Sequence, residues 1–139
     1  MVEFAEYLMR DLPAALYMCD ARGRIIGYNE HAVKLWGRRP AMGEDGESFC
    51  GCYKVFTPDG DYISPAHTPM AHALRTGESQ FNQRAIVERP DGTRFPALVN
   101  ISVMHNALGE VVGAVNVFQE DFTSQRIAVP VQSKQSAAL

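Results

Sequence analysis

The sequence predicts a single α+β domain: a five-stranded antiparallel sheet with short helices on one face and an N-terminal amphipathic helix on the other. Three observations lead there. A hairpin followed by a capped helix opens the chain, and three strands joined by tight turns close it. The 139 residues, 46% apolar and 21% charged, suit one hydrophobic core. The expected boundaries are a helix over 1–12, a domain over 13–123 and a loosely ordered tail over 124–139.

In order along the chain, Phe4, Ala5, Leu8, Met9 and Leu12 recur at helical spacing opposite Glu3, Glu6 and Arg10, and the helix should stop before Pro13. Ala14 to Asp20 is a run of strand formers; a turn at Ala21 to Arg24 sends Arg24 to Tyr28 back as its hairpin partner. Asn29 caps a helix reaching Trp36, where Gly37 ends it. Residues 37–67 mix Gly, Pro and Asp with short apolar pieces and read mostly as loop. Thr68 and Pro69 supply the cap and first position of another short helix ending at Gly77. Strands over 79–89, 94–105 and 111–120 follow, the first two joined by the Asp91-Gly92 hairpin signal.

Alternation puts Phe81, Ala85 and Val87, then Val99, Ile101 and Val103, then Val115 and Val117 on the core face. The other parity carries Asn82, Arg84, Asn100, Ser102 and Asn116, but also Ile86, Leu98, Ala114 and Phe118. That is more apolar surface than a single sheet face leaves in water, so the N-terminal helix or a second copy of the chain should cover it.

The residues then point to a family. The stretch Leu16-Tyr-Met-Cys-Asp20-Ala-Arg-Gly23-Arg-Ile-Ile-Gly-Tyr-Asn29 resembles the opening of a PAS domain, in which Asp and Gly form the hairpin and Asn starts the helix. Arg89-Pro-Asp-Gly-Thr-Arg-Phe-Pro96 resembles the family's later hairpin, and Gly113-Ala-Val-Asn-Val-Phe118 its last strand, before Asp121-Phe-Thr123. Ser64-Pro-Ala-His-Thr-Pro-Met-Ala71 is similar to a segment of PAS domains attached to bacterial sensor histidine kinases. The resemblance implies a non-catalytic sensor of a bacterial two-component system, and the lack of a long apolar run, with only three cysteines, leads to the expectation of a cytoplasmic protein. Such a sensor binds a small molecule or cofactor and relays its state to a partner protein, such as a histidine kinase in cis or in trans. The family's flanking helices often lie at dimer interfaces, so a homodimer is expected. A ligand-free dimerisation module is the alternative. The charged helix that commonly follows Asp-x-Thr is broken here by Pro130.

The resemblance also proposes a ligand cavity between sheet and helices, lined by Tyr17, Tyr28, Trp36, Met70 and Leu74. Gln83 and Gln119, polar residues assigned to the core parity, would mark a polar ligand or buried water. His67 lies near the Met70 and Leu74 stripe and His72 is about 140° further round a helix, so the two do not grip one metal from one face. Haem-binding members place an axial His near this helix, which makes His67, then His72, the haem candidate; a surface or capping His is the plainer reading. Flavin is not expected, since the Asn-Cys-Arg-Phe-type motif of the light sensors is absent. Cys50 and Cys52 are spaced too closely for the usual zinc pair and read as two reduced thiols.

Other classes are excluded on residue content. The 13 Lys and Arg are scattered and the net charge is −3, which argues against nucleic acid. No run approaches the roughly 20 apolar residues of a membrane helix. No Gly-x-Ser-x-Gly elbow, phosphate loop or His-Glu-x-x-His occurs, and Ser64 with His67 lacks an orienting acid, so no enzyme is expected.

Overall fold

The computed structural model describes residues 13–43 and 46–122. Strands β1 (Ala15–Asp20) and β2 (Ile25–Tyr28) form the first hairpin, and helix α1 (Glu30–Trp36) follows. Next come β3 (Lys54–Phe56), β4 (Tyr62–Ile63), a 3-10 turn (Pro65–His67) and helix α2 (Pro69–Thr76). Strands β5 (Gln80–Glu88), β6 (Arg94–His105) and β7 (Val111–Glu120) complete the order. Among the described residues the sheet has seven strands in the order β2-β1-β7-β6-β5-β3-β4, with each neighbouring pair antiparallel.

The expectation of five strands is therefore corrected. β3 pairs with β5 through Val55 opposite Val87, and β4 pairs with β3 through Val55 opposite Ile63. Strands this short carry too few residues for an alternation to register in the sequence, and only their partners reveal them. The expected helix over 1–12 and the tail over 124–139 lie outside the described residues.

Local chemistry explains why the hairpin and helices sit where the sequence put them. Asp20 Oδ1 accepts from the amides of Arg22 (2.9 Å) and Arg24 (3.0 Å), and Oδ2 pairs with Arg24 Nε at 2.8 Å, which closes the β1–β2 turn. Asn29 Oδ1 caps α1 by accepting from Ala32 N at 3.0 Å, and Gly37, at φ 73°, ends it in the left-handed conformation glycine tolerates. Thr68 caps α2 through Ala71 N at 3.3 Å, and Gly77 ends that helix in the same way. Arg89, leaving β5, donates through Nε to the Leu35 carbonyl at 2.8 Å, tying the C-terminal turn of α1 to the β5–β6 hairpin.

Both helices pack on the inner face of the sheet. Trp36 of α1 and Met70 of α2 are buried there against Ala85, Val87, Ala97, Ile101 and Phe118. The inner face of β7 corrects the sequence reading by one residue. Val99, Ile101 and Val103 stand opposite Phe118, Asn116 and Ala114, and paired residues share a face, so Ala114, Asn116 and Phe118 point inward. Val115 and Val117 face outward, opposite Ser102 and Asn100. Phe81 also leaves the core. A bulge between Gln80 and Gln83, with Asn82 at φ 56°, inserts one extra residue and turns Phe81 out to 57% exposure.

Candidate functional site

Between the inner sheet face and the helices lies a small apolar space. Tyr17, Trp36, Cys50, Met70, Asn116 and Phe118 are among the residues lining it, and it encloses about 40 Å³. Its wall is an aromatic cluster centred on Trp36. That ring lies 5.4 Å from Phe118 in a stacked arrangement, 5.3 Å from Tyr17 and 5.8 Å from Tyr28, whose ring meets it edge-on. Aromatic pairs of this kind contribute about 0.5–1.5 kcal/mol each beyond area burial.

The polar atoms in this region are paired. Tyr17 OH donates to the Phe49 carbonyl at 2.6 Å and is also hydrogen-bonded by the Asn116 side chain. Asn116 Oδ1 accepts from the Asn100 amide at 3.3 Å. Burial, followed by Cys19 nearby, raises the Tyr17 phenol well above its ordinary value, so it stays a neutral donor.

The loop over 46–52 packs beside the space and contributes Cys50 to its wall. Phe49 takes φ 69°, an uncommon conformation for a residue with a side chain, and its amide donates to the Gly23 carbonyl at 2.7 Å. Gly51 lies against Trp36: a Cβ there would stand 2.5 Å from Cη2 and 2.6 Å from Cζ3. Arg38 Nη1 donates to the Gly51 carbonyl at 2.6 Å, and the same guanidinium grips Glu47 at 2.7 and 2.6 Å. The sulfurs of Cys50 and Cys52 are in bonding contact. The expected pair of reduced thiols is thus placed sulfur against sulfur across Gly51. The one-residue spacing that excluded zinc also leaves the sulfurs close enough to join.

The Arg38 grip has a measurable acid limit. Its hydrogen bonds hold the Glu47 carboxyl below the usual carboxylate range. A depressed folded value means the bond stabilises the fold above the unfolded value of about 4.3 and loses that contribution as pH falls through the folded value. Calorimetric melting of parent and Glu47→Gln should give a Tm gap at neutral pH that closes as the pH falls from about 5 to 3. A gap constant with pH would contradict this account.

A family model described as PAS domain matches residues 13–124. The chain belongs to the PAS domain family. Structures similar to this PAS domain include the PAS domain of the fruit-fly ELK potassium channel, at 15% identity and TM-score 0.62, with 86% of this chain and 96% of that chain covered. The light-state dimer of the fungal blue-light photoreceptor Vivid is similar at 19% identity and TM-score 0.58, with 79% of each chain covered. The Vibrio cholerae VqmA dimer is similar at 18% identity and TM-score 0.60, with 89% of this chain and 52% of that chain covered. No curated protein sequence matches the chain.

In this PAS domain the structure brings Tyr17, Trp36 and Met70 together around the inner space, with Tyr28 behind Trp36 and its OH donating to the Pro40 carbonyl at 2.8 Å. Leu74 is buried, but under a separate surface hollow beside Phe49 and Ala71. His67 and His72 are both exposed, and His67 Nδ1 lies 2.6 Å from Ser64 Oγ. Gln83 sits at the rim, donating to the Phe81 carbonyl at 3.0 Å. Gln119 pairs with Leu98 on the outer face, a second consequence of the shifted β7 parity.

The inner space as described is too small for haem or flavin. The space has room for about one or two waters, and neither histidine lines it. Among the described residues no group of three or more His, Cys, Asp and Glu side chains is placed to hold a metal ion, and no helix is long and apolar enough to cross a membrane. The residue that sequence reasoning missed is Asn116. Its signal was indirect: Ile101 was assigned to the core, and Asn116 is its cross-strand partner.

Proposed function

We propose that this PAS domain acts as a signalling module whose output is a protein contact made by the outer face of its sheet, with a second copy of the chain as the partner. The observation that carries this reading is an apolar stripe across the neighbouring strands β1 and β7. Leu16 of β1 stands beside Val117 of β7, and Met18 beside Val115, with Val117 37% exposed. Exposed Ile26 and Met104 extend the apolar surface. Such a contiguous surface marks an interaction site, and two-fold pairing is the commonest way for a chain to cover it. The Vivid and VqmA dimers support the reading by likeness of fold. A histidine kinase met in cis or in trans is the downstream partner that the Pro-Met-Ala segment of α2 favours.

A second reading, entry of a small molecule into the inner space, is favoured by its apolar lining between the sheet and the two helices. In the conformation described, the occupant is limited to about the size of a water or two.

Sedimentation at micromolar concentration tests the docking reading. The parent should sediment as a dimer, and Val117→Asp, which places a charge at an already exposed position, should weaken association at least about tenfold. A monomeric parent, or a dimer indifferent to both Val117→Asp and Met18→Asp, overturns it.

A further inference from the structure

We infer that Cys50 and Cys52 form a reversible dithiol–disulfide site that exchanges with small-molecule disulfides and thiols, and that Trp36 carries its state into the core. This goes beyond the docking reading and does not depend on it.

Four features of the geometry converge. The two sulfurs are in bonding contact across Gly51. The Cys52 amide points at Cys50 Sγ, 3.4 Å away, a donor that stabilises a thiolate there once the bond is open. Cys50 is half-buried, lining the inner space while keeping part of its surface open to solvent, whereas Cys52 and Gly51 are buried. The intervening Gly51 is pressed on Trp36 and held by Arg38, so the backbone between the sulfurs cannot move without moving the centre of the aromatic cluster. The third cysteine is a built-in contrast: Cys19 is fully buried in β1, and burial pushes its thiol up to about 12.

In the oxidising direction the Cys50 thiolate attacks one sulfur of a small disulfide R–S–S–R, forming a mixed disulfide and expelling R–S⁻. Cys52, deprotonated, then attacks Cys50 Sγ and expels the second R–S⁻. The protein loses two electrons and two protons, and the external disulfide gains them as two thiols. Reduction runs the same steps backward.

Equilibration in buffers of reduced and oxidised dithiothreitol, followed by maleimide quenching and intact mass measurement, tests the site. The expected result is one reversible transition in which the reduced form carries two more adducts than the oxidised form, mapped by peptide mass to Cys50 and Cys52. Fluorescence from Trp36, the single tryptophan, should rise across the same transition as a quenching disulfide beside the indole opens. Both signals should persist in Cys19→Ala and vanish in Cys50→Ser and, separately, in Cys52→Ser. Two adducts at every buffer ratio, or none, would overturn the site. A thiol transition with unchanged Trp36 emission would overturn the coupling to the core.

Discussion

Asn29→Ala is expected to lower the stability of the domain by about 3 kcal/mol, although the residue is neither large nor apolar. Asn29 is 4% exposed, and its side chain does three jobs. Oδ1 accepts from Ala32 N at 3.0 Å, capping α1, and from Leu16 N at 3.1 Å in β1. Nδ2 donates to the Ala14 carbonyl at 2.7 Å. Loss of the cap costs about 1 kcal/mol, and each strand group left without its partner costs about as much again or more. Asn29→Asp keeps the acceptor but sets a carboxylate oxygen against the Ala14 carbonyl, so it should fall between parent and alanine variant. Urea denaturation checks both. A loss below about 1 kcal/mol for Asn29→Ala would show that α1 and β1 do not depend on this shared joint.

Trp36→Ala should cost about 3–5 kcal/mol, the range for removing a large buried aromatic side chain. Trp36 is 1% exposed and touches Tyr17, Tyr28 and Phe118, so its loss opens a cavity where the small inner space now lies. The cavity would be dry and shaped for a flat ring. Indole at millimolar concentration is therefore expected to recover part of the lost Tm in the variant and leave the parent unchanged. Full destabilisation with no indole rescue would mean that the surrounding wall collapses rather than holding its shape. A loss below about 1 kcal/mol would remove Trp36 from the centre of the core.

What was legible in the sequence was what local chemistry decides. The caps at Asn29 and Thr68, the glycine stops at 37 and 77, and the Asp91-Gly92 turn act within a few residues of themselves, and helices α1 and α2 and the long strands appear where they were expected. The misses are non-local. Strand β7 has apolar residues on both parities, and choosing Val115 and Val117 over Ala114 and Phe118 ignored the pairing with β6 that sets its phase. The same choice sent Asn116 outward and Gln119 inward. The bulge at Asn82 that exposes Phe81 leaves no mark in an alternation of mixed polarity. Strand β3 exists only because the edge of β5 is there to receive it, and β4 only because β3 then offers its own edge. Of the proposed cavity residues, Tyr17, Trp36 and Met70 line the inner space and Tyr28 stands behind Trp36, since large apolar side chains next to strands and helices are core by default. His67, at the end of the 3-10 turn, and His72, on α2, are both exposed, as the plainer reading of a surface histidine had them.

The central claim, that the outer face of the sheet is where this PAS domain meets its partner copy, is tested most directly by isotope-filtered NOE spectroscopy on a mixture of labelled and unlabelled chains. The account predicts intermolecular contacts from the side chains of Leu16, Met18, Val115 and Val117, which stand side by side on β1 and β7. Intermolecular contacts confined to the β3–β4 edge around exposed Tyr62, with none from these four residues, would contradict it.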